Sequence, residues 1–167
     1  MGQILGTIFG LIAAFAIVFA ALTFGAVMPE DLISSVVVQD FLTRNDLELK
    51  FAIVGTVLYP PLLGENLGFG ASGSTVLMFL AWGTAGLIAG LLSRDWIPAV
   101  FAAVFSVIVG ALLIWLLIFV INTGDFGAIF GSESFLLLEY AIQGCIFPVI
   151  AAVVGAVLGG GITRRRA

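Results

Sequence analysis

The sequence predicts an all-α integral membrane protein, a four-transmembrane-helix bundle with one external segment. Of its 167 residues, 62% are hydrophobic and only 10% are charged, whereas a soluble domain carries about 25% charged residues. The stretch Ile97–Ile121 contains no charged residue. As a helix it is about 37 Å long, enough to cross a hydrocarbon core of about 30 Å with some tilt. Three further stretches resemble it, and together they indicate a chain that resides in a bilayer.

The predicted spans, all within a single domain of residues 1–167, are residues 4–28, 74–92, 97–121 and 135–158. Pro29 and the two acids that follow it end the first span. The short turn at residues 93–96 makes the second and third spans an antiparallel hairpin. In the fourth span, Pro148 has no N–H to donate to the carbonyl of Gly144, so we expect a kink there.

Residues 30–73 form the predicted external segment, which lies in the interface or enters the membrane from one side. Ile33, Val37 and Phe41 are four residues apart, the spacing of a short amphipathic helix at the interface. The Gly-rich run Gly68–Gly73 matches a dinucleotide-binding fingerprint by letter. It lacks the preceding strand that such a site needs, so we interpret it as a flexible lead into the next span and expect no cofactor.

A second short helix is predicted in this segment, from about Asp46 to Tyr59. Asn45 and Glu48 have the spacing of an N-cap and its partner, and Pro60-Pro61 stops the helix. Apolar and charged residues alternate at its start, which leaves a strand open as the alternative. The apolar part, within residues 49–63, is short for a span. It is therefore re-entrant or interfacial, or it is a fifth span.

Small residues recur at four-residue spacing on every predicted span, a pattern typical of membrane helices that approach each other closely. The sets are Gly2, Gly6 and Gly10; Ala81, Ala85 and Ala89, with Gly86 and Gly90; Ala102, Ser106 and Gly110; and Ala151, Gly155 and Gly159. Packing within one chain is one interpretation, and contact with another chain is the other. Because the sets outnumber what one bundle obviously needs, the leading functional prediction is a non-enzymatic subunit or packing partner, in a homo-oligomer or with other membrane subunits.

The basic residues predict the orientation, because Lys and Arg near span ends mark the cytoplasmic side. Four spans place both chain ends on one side, so Arg164–Arg166 and Arg94 lie together inside. The loop of residues 122–134, which has no basic residue, is then outside with residues 30–73. The predicted location is the cell membrane, multi-pass, with the N-terminus and C-terminus cytoplasmic.

The sequence has few residues that could carry out catalysis or bind a metal. The chain has no His, and Cys145 is its one cysteine, so neither a disulfide nor a cysteine metal cluster can form within it. The first three spans carry no charge, which argues against an ion-coupled pump. We expect no catalytic, cofactor or metal site, no enzymatic activity and no nucleic acid partner; the lipid bilayer is the predicted partner.

Polar and aromatic side chains of three spans are predicted to gather in the outer half of the bundle. Trp82 lies about 12 Å below the outer end of its span and Trp115 about 9 Å below the outer end of its own. Glu139, Tyr140 and Gln143 enter from the same side. The alternative function is therefore a small-molecule facilitator or ligand-binding protein, with these residues around an amphipathic or cationic ligand. The competing interpretation is that the aromatic rings fill packing gaps near the interface.

Overall fold

The computed structural model describes residues 2–60, 75–93, 95–123 and 131–164. Within these ranges it is all-helical, with no strand, which confirms the all-α part of the prediction. The helices are α1 (Gly2–Phe24), α2 (Ser35–Thr43), α3 (Leu47–Leu58), α4 (Thr75–Ser93), α5 (Trp96–Thr123), α6 (Ser132–Gln143) and α7 (Ile146–Arg164). Four segments are long and apolar enough to cross a membrane, namely Gly2–Phe24, Thr75–Ser93, Trp96–Ile118 and Ile146–Thr163.

The predicted spans coincide with α1, α4 and α5, but the last one differs from the structure. The chain turns at Gly144 and Cys145, between α6 and α7, and the apolar segment of spanning length begins only at Ile146. Pro148 explains the interruption, because it cannot donate a hydrogen bond to the Gly144 carbonyl four residues earlier. The expected kink is thus a complete break between two helices.

Helix α4 packs against α1 through the small residues of both helices. A Cβ atom on Gly6 or on Gly10 would lie 3.0 Å from the carbonyl oxygen of Ala89 or Ala85, respectively. The glycines therefore let the two backbones approach more closely than most Cβ contacts allow. The set Gly2, Gly6 and Gly10 packs within the chain.

The opposite side of α4 packs even more closely against α7. A Cβ atom on Gly86 would overlap the carbonyl group of Ala152, and one on Gly155 would overlap the carbonyl oxygen of Gly83. Dispersion contacts drive helix association in lipid, and this geometry brings many backbone atoms into contact. Both small-residue sets of α4 are therefore used inside the chain.

The small-residue set of α5 faces α1 and the end of α3. The Ser106 hydroxyl lies 2.9 Å from the carbonyl oxygen of Thr7 and 2.8 Å from that of Ala102. The Thr7 hydroxyl lies 3.3 Å from the same Ala102 oxygen. Each of the predicted sets thus meets another helix of the same chain, as the first of the two interpretations requires.

The start of α1 and the last turns of α7 lie at the same end of the packed helices. A Cβ atom on Gly2 would lie 3.3 Å from the Cα atom of Ser93, and one on Gly160 would lie 3.2 Å from that of Trp96. We call this the terminal end, and the opposite end, where α1 leads into α2, the far end.

At the far end, α2 presents the predicted face to the core. Ile33, Val37 and Phe41 are buried, while Val36 and Leu42 on the other side are exposed. The amphipathic spacing is confirmed, and α2 has apolar side chains on its outer side as well.

Helix α3 forms where a helix was predicted, and the strand alternative is wrong. The predicted N-cap, Asn45, is wrong by one residue. The first helical hydrogen bond runs from the N–H of Lys50 to the carbonyl oxygen of Asp46, so Asp46 is the N-cap. No capping bond from its side chain is present.

Candidate functional site

Helix α3 ends in the middle of the core. The Tyr59 hydroxyl donates a hydrogen bond of 2.8 Å to the carbonyl oxygen of Val107. Val107 lies midway along the apolar segment Trp96–Ile118, about 16 Å from either end. Since α3 begins at the far end, it enters the core and stops at mid-depth. We call residues Leu58 and Tyr59 the α3 tip.

Two hydrogen bonds satisfy backbone carbonyl groups near the end of α3. Pro60 has no N–H and cannot continue the helix, and a helix end leaves carbonyl groups without partners. The indole Nε1 of Trp82 donates to the carbonyl oxygen of Leu58 at 3.0 Å, and the N–H of Tyr59 donates to Gly55 at 2.8 Å. Trp82 is 0% exposed, so its indole acts as a buried cap for α3.

Glycines make room for the α3 tip. A Cβ atom on Gly110 would overlap the hydroxyl oxygen of Tyr59, and one on Gly144 would lie 2.8 Å from the Tyr59 carbonyl oxygen. The ring of Tyr59 also contacts Trp82, with 5.6 Å between the ring centroids. The tip therefore sits among α4, α5 and the break between α6 and α7.

A small cavity lies beside the α3 tip, on its far-end side. Its volume is about 50 Å³, and it is lined by Thr56, Tyr59, Trp115, Tyr140 and apolar residues of α3, α5 and α6. One water molecule needs roughly 10–15 Å³ of such volume, whereas drug-sized ligands occupy about 300–1,000 Å³. We call this space the outer cavity, and its size fits a few water-sized groups.

The structure brings together two of the five residues predicted as ligand contacts. Trp115 and Tyr140 line the outer cavity, and the Trp115 indole lies 2.9 Å from the Ser134 hydroxyl. Trp82 contacts both residues of the α3 tip and is not among the residues that line the cavity. Their role as ligand contacts stays a prediction.

The other two predicted contacts lie on the exposed side of α6. Gln143 donates to the carboxylate of Glu139 at 3.2 Å, in an exposed pair. Neither residue lines the outer cavity. The carboxylate is therefore not part of the cavity wall, and a cationic ligand gains no direct partner there.

Thr56 and Tyr59 are site residues that the sequence analysis missed. The signal for them was the short apolar run that ends in Tyr59-Pro60-Pro61, which predicts a helix stop but not its depth. The partner of Tyr59 is a backbone carbonyl, and a carbonyl leaves no mark in a sequence.

Three hydroxyl groups lie between the α3 tip and the terminal end. Thr7, Ser93 and Ser106 belong to α1, α4 and α5, and we call them the hydroxyl row. Ser106 is buried, and the buried Ser93 Oγ has no hydrogen-bond partner in the described part of the chain. Polar groups thus continue beyond the tip on neighbouring helices.

Two wider depressions lie on the outer surface of the helices. A groove of about 540 Å³ has only apolar lining residues and Cys145, from α5, α6 and α7. A second groove of about 410 Å³ runs between α4 and α7. Among the described residues, no group of three or more His, Cys, Asp or Glu side chains could hold a metal ion, and the motif Gly68–Gly73 lies outside those residues.

These features define a class: the described residues are all-helical, and four of their helices are long and apolar, which is compatible with a polytopic membrane protein. No family model matches the sequence, and no curated protein or solved structure shows significant similarity to it.

Proposed function

We propose that the chain is a small multi-pass protein of the cell membrane, a bundle of four spans with α3 as a re-entrant helix. The main support is the apolar surface of the long helices, on which Ile12, Phe101 and Val154 are all more than half exposed. Surfaces of this kind aggregate in water, but acyl chains solvate them. Val36 is also exposed, and it gives α2 an apolar side for the outer interface.

We also propose that both termini are cytoplasmic. The Arg residues at 94 and 164–166 directly follow Ser93 and Thr163 in the sequence, while the loop of residues 122–134 has no basic residue, and basic residues favour the cytoplasmic side. A fluorescent protein fused after Ala167 should fluoresce, and alkaline phosphatase inserted in the loop should be active. A C-terminal fusion that does not fluoresce, together with an inactive phosphatase in the loop, would overturn this orientation.

The proposed function is that of a non-enzymatic facilitator for small solutes. The observation that carries it is the α3 tip, which ends at mid-depth against the α6–α7 break at Gly144. Membrane proteins tolerate such helix ends only where protein buries them or where they line a water-filled cavity. Discontinuous helices that meet near the midplane build the solute sites of transport proteins. A bundle that serves only to pack has no need of such an element.

The side chains favour uncharged solutes. The four apolar segments contain no Asp, Glu, Lys or Arg, and an ion at this depth without a charged or polar partner is costly. The outer cavity fits a few water-sized groups, and its lining includes hydroxyl and indole groups. We therefore propose small, uncharged, hydrogen-bonding molecules, for which urea and glycerol are suitable probes.

Flux into proteoliposomes tests this function. We expect urea and glycerol to equilibrate at least about threefold faster than in protein-free vesicles, as measured by stopped-flow light scattering. Thr56→Phe should abolish the increase because it fills the outer cavity. Thr23→Phe makes the same change at an exposed position of α1 and should not. Equal rates for the two variants, or none above empty vesicles, would contradict the proposal.

A packing subunit of a membrane assembly is our second proposal. The small-residue sets all pack inside the chain, so its support is the two apolar grooves of about 540 and 410 Å³ on the outer surface. A helix of a second copy or of another subunit would fill such a groove. Absence of flux, together with a defined larger species after crosslinking in native membranes, would favour this function over the first.

A further inference from the structure

We infer that the α3 tip is a plug between the outer cavity and the hydroxyl row, and that hydrogen bonds of Tyr59 and Trp82 keep it closed. This inference rests on the proposed function, since it states how the same site is regulated.

The position of Tyr59 makes it the barrier. One side of Tyr59 lines the outer cavity. Its hydroxyl group reaches the carbonyl oxygen of Val107, and the next residue toward the terminal end is Ser106 of the hydroxyl row. The Trp82 ring fills the space beside it. Tyr59 thus lies between the two polar regions, together with Trp82 and Leu11, which approach Gly110 at the same point.

The surroundings of α3 allow it to move, in contrast to those of α7. Helix α3 has only 12 residues, and Ala52, Gly55 and Thr56 on one flank face the outer cavity. Between α4 and α7, the backbones are already in contact at Gly86 and Gly155, and no space remains. A shift of the tip toward the cavity therefore meets less resistance than a shift of α7 against α4.

Solutes of the proposed class can compete for the bonds that hold the plug. Tyr59 and Trp82 donate to the carbonyl oxygens of Val107 and Leu58. An N–H or O–H group of urea or glycerol can donate to the same oxygens, so the tip exchanges one hydrogen bond for another. Such exchange has a small net free energy, which makes opening accessible to uncharged donors.

Cysteine reactivity tests the plug independently of flux. In a Cys145→Ala background, a cysteine replaces Ser106, which is 1% exposed, and the probe is methyl methanethiosulfonate, a small uncharged thiol reagent. We expect slow modification with the native tip. Trp82→Phe removes the donor to Leu58, and Tyr59→Phe removes the donor to Val107. Each should raise the rate about tenfold, the effect of losing one buried hydrogen bond.

Two controls separate opening from general loosening. Trp96→Phe makes the same change at an exposed position of the terminal end and should leave the rate unchanged. A cysteine at Ala99, which is 0% exposed on α5, should stay unreactive in every variant. A rise at Ala99 together with that at Ser106 would mean loss of structure and would overturn the plug.

The same variants distinguish the plug from the facilitator. If urea flux is present but neither the flux nor the reactivity at position 106 changes in Trp82→Phe, the plug is wrong and the facilitator stands. If the reactivity rises about tenfold while no variant conducts urea or glycerol, the tip opens as inferred and the facilitator is wrong.

Discussion

Gly86→Ala is expected to destabilise the folded protein by about 3 kcal/mol, the upper part of the range for overpacking. An added Cβ atom would overlap the carbonyl group of Ala152. A backbone group cannot rotate away as a side chain can, so α4 and α7 would have to separate along their contact. Thermal unfolding in detergent, followed by tryptophan fluorescence, measures the loss.

The chain offers a matched control one turn earlier on the same face of α4. A Cβ atom on Gly83 would meet its nearest neighbour, the Ala151 carbonyl oxygen, at 3.9 Å, which is ordinary van der Waals contact. Gly83→Ala should therefore be nearly neutral. Gly161→Ala, with nothing within 4 Å, should be neutral or slightly stabilising. If Gly86→Ala and Gly83→Ala behave alike, the close approach of α4 and α7 is wrong.

The sequence predicts where the helices lie along the chain better than it predicts which helices pack against each other. Four-residue spacing identifies Gly86 and Gly155 as sites of close approach, but the same spacing occurs on every span. Nothing in the pattern says that Gly86 faces Ala152 while Gly6 faces Ala89. Those choices depend on the combined fit of all the helices, which has no local signature.

The candidate site was likewise predictable from the sequence only in part. Helical rise alone predicts a similar depth for Trp82 and Trp115, and Trp115 and Tyr140 do share a cavity. The role of Trp82 was not predictable, because its partner is the carbonyl of Leu58 at the end of a helix whose depth the sequence left open. Pro148 predicted a kink in the last span, but neither the complete break between α6 and α7 nor the contact of Gly144 with the α3 tip.

Trp82→Ala is expected to cost about 4 kcal/mol, within the range for truncation of a buried aromatic residue. Two effects add. The missing ring leaves a cavity beside Tyr59, and the Leu58 carbonyl loses the donor that makes its burial tolerable. Trp82→Phe keeps most of the ring volume and removes only the donor. It should cost about 1–3 kcal/mol, so the difference between the two variants isolates the packing contribution.

Hydrogen exchange shows which helix each tryptophan substitution destabilises. Loss of Trp82 should speed exchange over residues 52–59, because the cap of α3 is gone and the tip can leave its place against Gly110 and Gly144. Trp115→Ala removes an indole that lies 2.9 Å from the Ser134 hydroxyl, so its effect should be largest at the start of α6 and smaller over α3, with which Trp115 shares the outer cavity. Equal exchange over α3 in the two variants would mean that Trp82 does not hold the tip. Helix α3 would then owe its depth to packing alone, and the hydrogen bond of Trp82 would not keep the tip closed.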